Sequence, residues 1–138
     1  MGLFDAIDAT GSALSAERMR LDVTAENLAN AQTVGYRRKE VALQSMDGAA
    51  RPGSFGEALD RAAKGVQVTA IVEDQTPLRR VYDPGHPQAD QQGYVEMPNV
   101  DTVTEMVELI GASRAYEANV TAMQTAKQLF TRTLDLLR

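Results

Sequence analysis

The side chains of this 138-residue sequence that could do chemistry are few and scattered. Its single histidine, His86, stands between Gly85 and Pro87, with Asp83 and Asp90 nearby. A metal centre needs several converging ligands, and general acid–base catalysis needs a group held against a partner in a cleft. A histidine bracketed by glycine and proline reads instead as a turn residue. Asp101, Glu105 and Glu108 bring three carboxylates close together in sequence. No nucleophile, phosphate-binding loop or pocket-forming stretch accompanies them, and the dipole of a helix beginning there accounts for acids at its first turns. Arg37, Arg38 and Lys39 form the one basic run, and Glu40 follows at once. With a formal net charge of −5 the chain has no general attraction to phosphate backbones, so nucleic acid is not an expected partner. Cysteine is absent, which removes disulfides, thiol catalysis and thiolate metal sites together, and the six methionines are too dispersed to be more than adaptable packing. No catalytic, cofactor-binding or metal-ligating residue is expected, and the chain does not read as an enzyme.

What the sequence does carry is periodicity at its two ends. From Leu3 to about Ala31 there is no proline, and Ile7, Leu14, Leu21 and Leu28 recur seven apart, which sets them on one helix face. Ala9, Ala16 and Val23 widen the stripe. Gly11 in the interior costs about 1 kcal/mol relative to alanine, so this helix needs a partner along its length. Leu109, Tyr116, Met123, Phe130 and Leu137 form a second series of the same period, the pattern of a coiled-coil seam. Asp101 or Thr102 can cap that helix. All nine residues are expected to form the packing seam between helices and, in an assembly, between subunits.

Between the ends, roughly from Val34 to Pro98, lie all five prolines and seven of the ten glycines. Gly65 to Glu73 reads as a strand, and Arg79 to Tyr82 and Gly93 to Met97 as shorter ones separated by the turn-rich Asp83-Pro84-Gly85-His86-Pro87. Residues 55–63 fit a short helix or a loop. The expected fold is α+β and mainly α. An N-terminal arm (1–33) and a C-terminal arm (99–138) pair as an antiparallel coiled coil, and a β-hairpin-rich insert (34–98), flexible near 47–64, lies between them. No apolar run approaches the roughly 18 residues that a membrane span requires, and the N-terminus has no basic region of a secretory signal, so neither membrane insertion nor Sec-type export is expected.

Polar residues interrupt both stripes. Asn27 and Asn30 flank Leu28-Ala29, and either they hydrogen-bond to fix the register of packed helices, or Asn30 ends the helix, Gly35 makes the turn and Asn27 is solvated. Arg114, Glu117 and Asn119 surround Tyr116 and fit either a polar contact set between neighbouring helices or a solvated flank.

These residues also carry a family resemblance. Gly11-Ser12-Ala13-Leu14 through Asn27-Leu28-Ala29-Asn30, then Gly35-Tyr36-Arg37, resemble the first helix and its exit in the rod proteins of the bacterial flagellar basal body. Tyr82 to Pro87, Ala89-Asp90, Gly93-Tyr94-Val95 and Met97 to Asp101 are similar to the segment that marks the proximal-rod members. Glu105-Met106-Val107 and Arg114 to Val120 are similar to the family's C-terminal helix. The likeness covers about residues 3–46 and 65–137. It implies a structural subunit that assembles with copies of itself and other rod proteins into a hollow, torque-transmitting shaft through which export substrates pass. It further implies an adaptor at the membrane-ring base as neighbour, passage through the flagellar type III apparatus without a cleaved signal peptide, and a place in the periplasmic rod. Asn27, Asn30, Arg114, Glu117 and Asn119 would be its polar contacts. The competing expectation is a cytoplasmic coiled-coil adaptor or export chaperone, also small, acidic and helical.

Overall fold

The computed structural model describes residues 3–46 and 65–135; the expected mobile segment near 47–64, the short helix at 55–63 and Leu137 fall outside them. The fold is α+β and mainly helical. Helix α1 runs Leu3–Ala29, followed by strands β1 (Lys39–Ser45), β2 (Val66–Glu73), β3 (Arg79–Tyr82) and β4 (Tyr94–Met97), and helix α2 closes the order at Thr102–Asp135. At about 1.5 Å per residue, α1 is about 40 Å long and α2 about 50 Å.

Each boundary has a local cause. Asn30 turns its side-chain amide back to the Glu26 carbonyl at 2.9 Å, and the following Thr33 hydroxyl donates to the Asn30 side chain, so the chain leaves the helix there. Asp101 caps α2: its carboxylate accepts from the Val103 amide at 3.2 Å and from the Thr104 hydroxyl at 2.7 Å. The helices lie side by side. Asn27 near the end of α1 meets Glu105 near the start of α2, whereas Gly11 lies close to Met123, so these two contacts run in opposite chain directions.

The described strands form two antiparallel pairs, β1 with β2 and β3 with β4. Strand β1 is an element that the sequence pattern does not announce. It pairs from Lys39 opposite Glu73 to Ser45 opposite Val66, with a bulge at Thr69, whose hydroxyl donates to the Ala42 carbonyl. This sheet packs on α1, where the Val66 amide donates to Ser12 Oγ at 3.1 Å. The β3–β4 connection is closed by its own hydrogen bonds. Asp90 accepts from the Gln92 and Tyr94 amides, each at 2.8 Å, and from Arg80, and His86 Nδ1 accepts from the Gln88 amide. His86 is thus a turn residue.

The core is made of small side chains. Ala16, Val23, Val95 and Ala112 are the buried hydrophobic residues among those described, and the largest fully buried side chains are those of Asn27 and Glu105. Close approach has replaced bulk, most visibly at Gly65. Its φ of 90° is in the left-handed region, and a β-carbon there would overlap the Ser12 hydroxyl and sit 3.2 Å from the Ala9 Cα.

Two predictions follow from these local causes. Gly65→Ala should destabilise the chain by about 1–3 kcal/mol, whereas Gly111→Ala, inside α2 with nothing within 4 Å of its β-position, should stabilise it by about 0.5–1 kcal/mol. Urea unfolding of both variants checks this, and a tolerated alanine at 65 would contradict the close packing of β2 on α1. Hydrogen bonds also set a pH dependence. The Thr104 hydroxyl and Val103 amide hold the Asp101 carboxyl below its ordinary range, the Tyr94 and Gln92 amides with Arg80 do so at Asp90, and the Thr76 amide and hydroxyl do so at Asp74. Depressed values mean that this stability is complete above the unfolded carboxyl pKa of about 4 and is lost as pH falls through the folded values. Unfolding curves should therefore weaken below about pH 4. Asp101→Asn should make the decline shallower, and a decline of unchanged depth would remove Asp101 from this account.

Candidate functional site

Among the described residues, α1, β1, β4 and α2 meet at the exit from α1. Asn27 is 1% exposed there and uses its whole hydrogen-bonding capacity. Its Nδ2 donates to the Lys39 carbonyl at 2.8 Å and to Glu105 Oε2 at 3.1 Å, while its Oδ1 accepts from the Lys39 amide and the Tyr36 hydroxyl, both at 2.9 Å. One side chain of α1 thereby holds the exit turn, the first residue of β1 and the first turn of α2.

Glu105 is fully buried, a position that a carboxylate occupies only when paired. Its partner is Arg38, whose Nε donates to Glu105 Oε1 and whose remaining nitrogens reach Glu40 and Glu108, the latter at 3.1 and 3.2 Å. Burial alone would lower the Arg38 pKa. The hydrogen bonds to Glu105 and Glu40, with the charges of Glu105 and Glu108, outweigh that and hold the guanidinium firmly protonated. Burial, then the nearby Glu26, pushes the Tyr36 phenol up, which keeps it a donor to Asn27. Around this pair the backbone is also fixed: the Arg38 amide donates to Asn99 Oδ1 at 2.8 Å, the Asp74 amide donates to the Arg38 carbonyl at 2.7 Å, and the Gly35 amide donates to the Glu96 carbonyl at 3.0 Å. Lys39 pairs with Glu26 at the rim.

The junction corrects two readings of the sequence. Asn27 is not solvated, although Asn30 does end the helix as the plainer alternative held. Glu105 is no dipole-only acid of the first helical turn, because it faces inward; Asp101, by contrast, does act as a cap. Glu105 and Arg38 are the residues that sequence reasoning missed. A signal existed, since Glu105 begins the seven-residue row that continues through Ala112, Asn119 and Ala126, an acid at the head of an inward row.

The other residues singled out in sequence are distributed along the helices. Ile7, Leu14, Leu21 and Leu28 are half-buried on α1, as are Leu109, Met123 and Phe130 on α2, and Tyr116 is 36% exposed. Arg114 and Glu117 are exposed and Asn119 half-buried, and none of the three side chains has a polar partner among the described residues. Among the described residues the junction is built of groups paired with one another. Its polar groups neutralise one another and leave large apolar side chains half-covered.

Two family models match the chain. Residues 7–37 match the flagella basal body rod protein model, and residues 91–136 match the flagellar basal body rod FlgEFG protein C-terminal model. The first spans α1 and its exit turn; the second spans β4 and α2. Among similar proteins, the flagellar basal-body rod protein FlgC of Salmonella typhimurium is 45% identical over 142 residues, covering 99% of this chain and 98% of that protein. FlgC of Bacillus subtilis is 40% identical over 153 residues, covering 99% of each, and FlgC of Borreliella burgdorferi is 40% identical over 151 residues, covering 100% and 99%.

Removing one member of the junction should cost far more than its contact suggests. Glu105→Ala removes the buried partner of Arg38, leaves it only Glu40 and Glu108, strips Asn27 of an acceptor, and should destabilise by about 1–3 kcal/mol. Asn27→Ala should be less than additive with it, with a coupling of about 0.5–3 kcal/mol. Denaturant midpoints of the two single variants and the double variant measure this, and simple additivity would show that Asn27 and Glu105 act apart.

Proposed function

The chain belongs to the FlgC family of flagellar basal-body rod proteins, and from that premise we propose how its two helices make it part of a shaft. It is a structural subunit of the flagellar basal-body rod and assembles there with other rod proteins. The observation that carries this is similarity over the whole length of relatives named for that role, which also sets aside the alternative of a cytoplasmic adaptor or export chaperone. None of the described helices is long and apolar enough to cross a membrane.

In the finer reading, the arms (1–33 and 99–138) pair as an antiparallel coiled coil that lines a hollow rod in the periplasm. The insert (34–98) projects from them and distinguishes this rod protein from its neighbours. The subunit leaves the cell through the flagellar type III apparatus without a cleaved signal peptide, joins copies of itself and an adaptor at the membrane-ring base, and transmits torque. It does no catalysis. The half-buried state of Ile7, Leu14, Leu21, Leu28, Leu109, Met123 and Phe130 supports a seam that a single chain covers only in part and that neighbours complete. Before assembly the ends of the arms away from the junction fray, because there each helix has its apolar face only half covered. Stiffness in the finished rod then comes from interdigitated side chains.

Leu21→Asp or Phe130→Ala should abolish swimming through failed rod assembly. Motility plates and electron microscopy of isolated basal bodies test both, and normal rods in the two variants would overturn the seam assignment.

A further inference from the structure

The first turns of α2 carry an apolar stripe on the side that faces away from the rest of the chain. Glu105 and Ala112 face inward, yet Val103 is 68% exposed, Met106 53%, Val107 65% and Ile110 50%. Spacings of three and four set these four on one stripe on the opposite side of the helix from Glu105 and Ala112. A contiguous exposed apolar stripe of this kind marks a contact surface, and the single chain leaves it uncovered. Arg114 and Glu117 continue the stripe, exposed and without a side-chain partner among the described residues.

Helix α1 has an outward face of the complementary kind. Arg18, Asp22, Ala25 and Ala29 are all exposed and lie opposite the buried Ala16, Val23 and Asn27. Arg18 and Asp22 also lack a side-chain partner among the described residues. Laid antiparallel, the two faces match in both shape and charge. Val107 meets Ala29, Ile110 meets Ala25, Arg114 meets Asp22 and Glu117 meets Arg18. Small residues receive large ones, and each charge meets its opposite. A parallel arrangement sets Arg18 and Asp22 against Val107 and Ile110 and leaves Arg114 and Glu117 facing Ala25 and Ala29. The antiparallel match keeps, to within a turn, the register that joins Asn27 to Glu105 and Gly11 to Met123 within the chain.

We infer that the outward face of α2 docks antiparallel on the outward face of α1 in a second copy of this chain, through Val107 and Ile110 with the pairs Arg114–Asp22 and Glu117–Arg18. This rests on the rod-subunit reading and deepens it. The contact joins different faces of the two copies, so it does not close into a dimer but leaves one α1 and one α2 face open for the next subunit. On α2 it uses a different face from the seven-residue seam, whereas on α1 it adjoins that seam, since Leu21 lies three residues from Arg18 and four from Ala25.

The natural chain has no cysteine, so Ala25→Cys and Ile110→Cys in one full-length chain introduce its only thiols. Cells producing this variant and treated with a mild oxidant should yield a ladder of linked chains on non-reducing gels, and each single-cysteine variant should stay monomeric. Monomer alone from the double variant in cells whose basal bodies contain rods would overturn the contact. Charge reversal decides the case in which that variant builds no rods. Glu117→Arg should cause loss of swimming, and Arg18→Glu in the same chain should restore it; unimpaired swimming of the first variant, or no restoration in the second, overturns the contact. A strain lacking the chain altogether separates the two levels of the argument. Complete rods in that strain would refute the rod-subunit reading, whereas absent rods together with an unrestored charge swap would refute only this contact.

Discussion

A carboxylate withdrawn entirely from water has to be neutralised, and in this protein the neutralising group comes from the turn that leaves the first helix. The Glu105–Arg38 pair fixes where α2 begins relative to that turn, and Asn27 adds α1 to the same cluster by spending every donor and acceptor of its amide. Buried ion pairs contribute little net stability over an apolar replacement, but they penalise any arrangement that separates the partners. Here the penalty falls on helix register. A slip of one turn between α1 and α2 would strand Glu105 without its cation and without the Asn27 amide. The junction therefore specifies geometry more than it adds cohesion, and the strands hang from it through Asn99, Asp74 and Gly35.

With position set by a polar cluster, the remaining helix contact can be made from small residues. Ala16, Val23 and Ala112 let the backbones approach, and the bulkier Leu14, Leu21, Met123 and Phe130 stay half-covered at the edges of the contact. Such a pair holds its shape without exhausting its apolar surface. A subunit that joins a larger structure needs that combination: an internal geometry definite enough to recognise a neighbour, and enough uncovered hydrocarbon to hold it.

Both helices are legible in the sequence because an unbroken 3.6-residue pattern over more than 25 residues has no other explanation. Strands β2, β3 and β4 are legible because β-branched and aromatic residues lie between glycines and prolines. Strand β1 is not, since Lys-Glu-Val-Ala-Leu-Gln-Ser consists largely of good helix formers and is a strand only because β2 and α1 lie beside it. Asn27 was readable as one of two alternatives and no further, since an amide at a helix end serves equally as a cap or as a buried bridge. Glu105 was hidden by a coincidence of physics. An acid in the first turn of a helix is what the dipole favours, so local reasoning explained the residue fully and gave no reason to look for Arg38, 67 positions earlier.

Among the described residues no large apolar side chain is fully buried, and this bears on how the protein absorbs heat. The heat-capacity increment of unfolding comes mainly from newly wetted hydrocarbon, about 12–15 cal/mol/K per residue in ordinary globular domains. A core of alanines, valines and hydrogen-bonded polar groups wets less than that when it opens. The stability curve of the isolated chain is accordingly flat, and cold has little hold on it. In the proposed assembly the missing increment would be deferred: the hydrocarbon that the lone chain leaves in contact with water would give up its heat capacity as neighbouring subunits close over it. Calorimetrically, part of this protein's hydrophobic core would then belong to the rod.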